Sequence, residues 1–179
     1  MEALIFLTTG FEKIEALATV DILRRGGVDV RMVSLIDDRT VTGGHQISVI
    51  ADCMFEEANF DAAKMLILPG GTVKINDHAG LKRKILEFAK NGKAIAAICA
   101  APMVFGGLGL LKGKRATCYP GYEKYLTDAE VTGTYLEIAG NITTARAAGY
   151  TQNFAIELLA QLKGDEVAYN VEQQIEPKI

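Results

Sequence analysis

The sequence predicts an α/β fold, a mostly parallel sheet with helices packed on both of its faces. Three observations predict it. Short runs of apolar and β-branched residues recur along the chain, stretches of helical periodicity separate them, and the connections are short and marked by glycine.

The first run, ALIFL at residues 3–7, reads as a strand: it is short, has an acidic neighbour in Glu2, and lacks the basic leader that a signal peptide carries. Residues 12–25 place apolar side chains at helical spacing and stop at Gly26-Gly27. The β-branched run at 28–34 follows and completes a βαβ unit. KMLILPGG (64–71) reads as a buried strand ending in a glycine turn, LKRKILEFAKNG (81–92) as an amphipathic helix with its glycine stop, and KAIAAI (93–98) as the next strand. A short helical stretch, a strand near 114–118, a hairpin around AGN (139–141), a long helix over 149–163 and a final helix over 165–174 complete the prediction.

A chain of 179 residues is sized for one domain over 1–179, since domains run near ~150 residues, and no linker, repeat or low-complexity segment suggests a second. A domain of this size buries roughly 70% of its unfolded-chain surface, so neither disulfides nor a structural metal are needed. Lys and Arg number 19 against 22 Asp and Glu, a net charge of −3, with no basic block to neutralise a phosphate backbone, so no nucleic-acid partner is expected. No stretch approaches the ~18 apolar residues of a membrane span. A cytoplasmic protein without a membrane partner is therefore expected. The three cysteines, Cys53, Cys99 and Cys118, are odd in number and lack metal-ligand spacing. They fit a reducing compartment and argue against zinc and against a disulfide framework, so a functional cysteine would be a free thiol.

Ligands of parallel sheets bind beyond the carboxyl ends of the strands. Three turns are predicted to share that rim: TTGFEKIE, LPGGT and ICAAP. In AIAAICAAP (94–102) a strand ends at Cys99 and continues through the small residues Ala100 and Ala101, the logic of a nucleophile elbow. The N-terminus of the following helix would lower the thiol pKa. The alternative is a buried structural cysteine, but the place of Cys99 at a strand end favours function. Gly70 and Gly71 permit close approach of a backbone amide, and with the Ala100 amide they could form an oxyanion hole; the alternative is a plain turn. Glu15 shares a helical face with Phe11, Ala18 and Ile22 and is expected at the edge of an apolar stripe. Burial there would raise its pKa and suit it to proton transfer, whereas most helix glutamates are solvated. Glu12 reads as a first-turn charge.

Only two histidines are available to a cysteine–histidine dyad. His78 reads as an exposed helix start. His45, in the loop TGGHQ, reads equally as a substrate contact or a solvent-facing residue. Cys118 and Tyr119 end another predicted strand and either line the same rim or simply pack there. Cys53 has no comparable context and reads as structural.

GFEKIEAL, LILPGG and AIAAICAAP at these positions resemble the ThiJ/PfpI superfamily, which is related to class I glutamine amidotransferases, and within it the branch of the Parkinsonism-associated deglycase. VDILRRGGVDV, LLKGKRATCYPG and GYTQNFAIELL extend the resemblance over nearly the whole chain. It implies a flavodoxin-like three-layer sandwich, usually homodimeric, with Cys99 as the oxidation-prone nucleophile, Glu15 as its protonated glutamate, and the Gly71 and Ala100 amides as the oxyanion site. It also implies activity without a metal or organic cofactor. Activities assigned in the family are glyoxalase, deglycase, chaperone and oxidative-stress sensing. Two departures bear on chemistry. The protease branch places histidine immediately after the nucleophile, where this chain has Ala100, which argues against a peptidase. Tyr119 stands where the deglycase often has histidine; tyrosine donates a hydrogen bond but is a poor base at neutral pH. The leading expectation is an enzyme acting on a small carbonyl substrate or glycated adduct, with Cys99 as nucleophile, Glu15 as proton shuttle, and Gly70, Tyr119, Cys118 and His45 as candidate pocket residues. The alternative is a sensor or chaperone that works through Cys99 oxidation.

Overall fold

The apolar runs assemble because their backbones pair while both of their faces are covered. The computed structural model describes residues 2–175. In chain order its strands are β1 (Ala3–Leu7), β2 (Val30–Ser34), β3 (Thr40–Thr42), β4 (Ser48–Ile50), β5 (Cys53–Met54), β6 (Met65–Leu68), β7 (Ala94–Ile98), β8 (Arg115–Ala116), β9 (Glu130–Val131), β10 (Leu136–Ala139) and β11 (Ile142–Ala145). Its α-helices are α1 (Thr19–Arg25), α2 (Ala79–Lys90), α3 (Pro102–Gly107), α4 (Thr151–Lys163) and α5 (Asp165–Ile175). Seven strands form the central sheet in the order β10-β11-β7-β6-β1-β2-β5, parallel throughout except for the β10–β11 hairpin.

Alternation within the central strands feeds two cores. Ala3, Ile5 and Leu7 of β1, with Met65 and Ile67 of β6, pack under α1, α4 and α5. Leu4 and Phe6, with Leu66 and Leu68, face α2 and α3. Side chains of a strand point alternately to opposite faces, so a strand buried on both sides reads as the unbroken apolar run seen in the sequence. This is the predicted α/β, flavodoxin-like arrangement.

Three local details differ from the sequence reading. The first helix begins at Ile14 rather than at residue 12, and its first turn, Ile14–Ala18, is a π-helix. Within this wider turn the Thr19 hydroxyl donates to the Glu15 carbonyl at 2.6 Å. The strand expected near 114–118 is reduced to β8, which leaves the main sheet and pairs with β9. Its continuation finds other partners: the Thr117 amide donates to Thr144 Oγ1 at 3.0 Å and the Tyr119 amide to the Cys99 carbonyl at 2.8 Å. The β3–β4 ribbon, absent from the prediction, lays its connecting loop over the turn after β1, with the Gly10 amide donating to the Thr42 carbonyl and the Gly44 amide to the Phe11 carbonyl. Among the described residues no helix is long and apolar enough to cross a membrane.

Candidate active site at the strand ends

β7 stops at Ile98, and Cys99 takes φ +65°, left-handed backbone that costs a non-glycine residue energy. Two hydrogen bonds hold it there: its amide donates to the Ala145 carbonyl at 2.9 Å, and its carbonyl accepts from Tyr119. Ala101 is buried and Pro102 opens α3, so the chain turns sharply beneath the thiol. Cys99 remains partly exposed.

Glu15 approaches from the other side of Gly70. Its side chain is 1% exposed, deeper than the stripe edge predicted from periodicity, because the π turn carries it inward. Oε2 accepts the Gly70 amide at 2.7 Å, while Oε1 is buried without a hydrogen-bond partner. A Cβ on Gly70 would lie 2.8 Å from the Cys99 Cβ and 3.0 Å from Glu15 Oε2. Glycine is therefore required for the two functional side chains to meet there. Gly71, at φ +89°, has a similar role: a Cβ would fall against the Glu12 amide nitrogen and the Gly10 carbonyl. The Glu12 amide in turn donates to the Gly70 carbonyl at 2.9 Å, so the turns after β1, β6 and β7 converge.

Burial raises Glu15 to about 7, against the opposing pull of the Gly70 amide and the Cys99 thiol. The Cys99 thiol is pushed up to about 12, by burial first and then by the charge and hydrogen bonding of the Glu15 carboxylate; the Ala100 and Gly71 amides oppose this. The expectation of a thiol lowered by the helix N-terminus is thereby corrected. α3 is only six residues long, and its dipole is outweighed by desolvation and an adjacent carboxylate. The carboxylate's share of the elevation disappears when Glu15 takes up a proton, so the ionisations of the two groups are linked.

The remaining predicted residues divide. Tyr119 lies beside Cys99 through its backbone, with its ring 47% exposed. Cys118 is 3% exposed and packs into the apolar cluster beneath α2 and α3, where burial pushes it up to about 11; its assignment to the pocket is corrected to a core position. His45 sits on the exposed loop of the β3–β4 ribbon at φ +57°, and its Nδ1 accepts from Lys13 Nζ at 3.0 Å rather than meeting Cys99. His78 caps α2, its Nδ1 accepting the Leu81 amide at 3.0 Å, and its ring lies 4.5 Å from that of Phe55. It is half-buried rather than exposed, and desolvation lowers its pKa. Cys53 lies on the edge strand β5. Glu12 lies just before the helix rather than in its first turn, and its Oε1 accepts the Ile14 amide at 3.0 Å. The sequence reading missed Lys13, Tyr122 and Tyr125; the repeated tyrosines in YPGYEKY were the only signal for the last two. Among the described residues no three His, Cys, Asp or Glu side chains gather as a metal site.

Comparison with known proteins bears on this constellation: residues 1–161 match the model of the DJ-1/PfpI family. The chain belongs to that family. It is 36% identical over 175 residues to protein DJ-1 homolog B of Arabidopsis thaliana, covering 95% of this chain and 40% of the plant protein, so it spans well under half of that relative. A deglycase of Pyrococcus abyssi is 32% identical over 169 residues, 91% of this chain and 100% of the archaeal protein. The crystal structure of a variant of a DJ-1 superfamily protein from Salmonella typhimurium superposes with a TM-score of 0.92 at 28% identity, covering 99% of both chains.

Proposed function

We propose that this chain is a cofactor-free cysteine enzyme that converts small reactive carbonyls, or the adducts they form, by glyoxalase- or deglycase-type chemistry. The observation that carries the reading is the pairing of a partly exposed thiol at a strained strand end with a buried carboxyl held near neutrality, one of whose oxygens has no partner. The deglycase names of relatives support the same class.

For an α-oxoaldehyde such as methylglyoxal, the Cys99 sulfur bonds to the aldehyde carbon as the carbonyl electron pair moves onto oxygen. That oxygen faces the Gly71 and Ala100 amides and takes the proton that the thiol gives up, giving a hemithioacetal. The hydrogen on the same carbon leaves as a proton to Glu15 Oε1, and its electron pair forms the carbon–carbon double bond as the neighbouring carbonyl pair moves onto oxygen, giving an enediolate. Return of that proton from Glu15 to the former ketone carbon, as the hydroxyl on the sulfur-bearing carbon passes its proton to the enediolate oxygen, gives a 2-hydroxy thioester. Water then cleaves the carbon–sulfur bond, releasing the 2-hydroxy acid and the thiol. One carbon is oxidised as its neighbour is reduced and one water is added, so no external oxidant enters. Peptide hydrolysis fits less well, since His45 is engaged by Lys13 and His78 by the start of α2.

The test is conversion of methylglyoxal to lactate without glutathione. The native protein should turn over, and Cys99→Ser and Glu15→Gln should each lose about 100-fold or more. Equal inactivity of all three proteins refutes the reading. A redox-sensing role is the second reading, favoured by the same partly exposed thiol beside a carboxyl able to donate to a sulfinate. Two equivalents of peroxide would convert the thiol to sulfinate with release of two waters. Addition of two oxygens at Cys99 alone supports it, and uniform oxidation of all three cysteines counts against it.

A homodimer belongs to the same proposal. Ile14 and Ile50, 57% and 71% exposed, leave apolar surface on the turn before α1 and on the β3–β4 ribbon, as an interface between copies would require. Sedimentation should give a dimer that Ile50→Glu weakens; a monomer at all concentrations removes the idea.

A further inference from the structure

Beside the nucleophile stands a row of three tyrosines that the chemistry above does not use. The Tyr119 amide is bound to the Cys99 carbonyl at 2.8 Å, the Tyr122 amide to the Tyr119 carbonyl at 3.1 Å, and the Tyr125 amide to the Tyr122 carbonyl at 3.0 Å. The rings follow the backbone. Tyr119 meets Tyr122 edge-on with centroids 6.5 Å apart, and Tyr122 meets Tyr125 at 5.8 Å. Tyr122 is half-buried against the apolar cluster beneath α3, whereas Tyr119 and Tyr125 are 47% and 40% exposed.

The row is braced before any ligand arrives. A Cβ on Gly106 of α3 would fall on the Tyr125 carbonyl, so glycine there lets the tyrosine segment lie against the helix that follows Cys99. The Gly121 amide donates to Glu123 Oε2 at 2.7 Å and closes the turn between Tyr119 and Tyr125. Exposed aromatic side chains that are held rigidly offer a large contact area at little conformational cost.

We propose that Tyr119, supported by Tyr122 and Tyr125, is an aromatic wall that selects α-oxoaldehydes carrying an aryl group, so that arylglyoxals are better substrates than methylglyoxal. The inference rests on the carbonyl-enzyme reading. In an arylglyoxal the ring is attached to the ketone carbon next to the aldehyde, so attack by Cys99 on the aldehyde leaves the ring at the rim where Tyr119 lies. The overall change is phenylglyoxal plus water to mandelate, by the bond changes written above.

The experiment compares kcat/KM for phenylglyoxal and methylglyoxal in the native protein, Tyr119→Leu and Tyr119→Phe. The aryl-to-methyl ratio should exceed one in the native protein, fall about 2- to 10-fold in Tyr119→Leu, and be kept by Tyr119→Phe, which retains the ring. A ratio unchanged by Tyr119→Leu, or one lost equally in Tyr119→Phe, overturns the wall. Titration of mandelate and lactate against protein carrying 13C-labelled tyrosine rings decides the matter without turnover. Mandelate alone should shift the Tyr119 resonance, and no shift overturns the proposal. Inactivity towards both aldehydes together with a mandelate-specific shift would refute the carbonyl chemistry while leaving the aryl site standing.

Discussion

Replacing Glu15 by glutamine removes a carboxyl that the fold forces into its interior, and the consequence for stability follows from its environment. Glu15 titrates at about 7 in the folded chain against 4.5 for an ordinary glutamate, because burial disfavours its charged form. Between those values the folded state holds a proton that the unfolded state has lost, so stability falls as pH rises through the interval. The cost begins near pH 4.5, is complete above pH 7, and amounts to roughly 3 kcal/mol, at 1.36 kcal/mol for each pH unit of displacement. Below pH 4 both states are protonated and the term vanishes. Glutamine cannot ionise, so the variant escapes the cost. The assay is urea unfolding of the native protein and Glu15→Gln at intervals from pH 4 to 8. The difference in unfolding free energy should move in favour of the variant by roughly 3 kcal/mol across that range. Cys99 does not confuse the result, since the thiol is pushed up to about 12 and loses its proton above the range in both states. Two parallel stability curves would show that Glu15 is not held protonated, and the proton-shuttle argument would fall with it.

Thr19→Val removes the hydroxyl that donates to the Glu15 carbonyl in the π turn, and should cost about 0.5–1.5 kcal/mol of unfolding free energy, the net worth of one such hydrogen bond. A smaller effect would mean the carbonyl finds another donor. Gly71→Ala places a Cβ against the Glu12 amide at φ +89° and should lower stability by about 1–3 kcal/mol while reducing turnover, both read on the purified variant. Iodoacetamide on the native protein should alkylate Cys99 ahead of Cys118, which is buried; peptide mass spectrometry in and out of guanidinium checks it, and equal labelling would contradict the packing.

Much of the architecture was legible because burial on both faces of a strand leaves an unbroken apolar run. ALIFL, MLIL and AIAAI became β1, β6 and β7 for that reason. The place of Cys99 at a strand end was equally readable, since Ala100, Ala101 and Pro102 permit a sharp turn and start a helix. Periodicity placed Glu15 near an apolar stripe, but it assumes a regular helix and so missed the π turn that buries the carboxyl completely. Nor could local pattern place the segment after β8, whose amides are taken by Thr144 and Cys99 from elsewhere in the chain. What the amino-acid sequence by itself determined was the sheet, the elbow and the identity of the thiol and the carboxyl. What only the tertiary structure decided was their ionisation and their surroundings: Glu15 and Gly70 are 55 residues apart in the chain yet share a hydrogen bond, and burial of the thiol, with the Glu15 charge second, is what reversed its expected shift. A side chain's pKa depends on desolvation and on charges a few ångströms away, and those are contributed by parts of the chain that meet only when it folds.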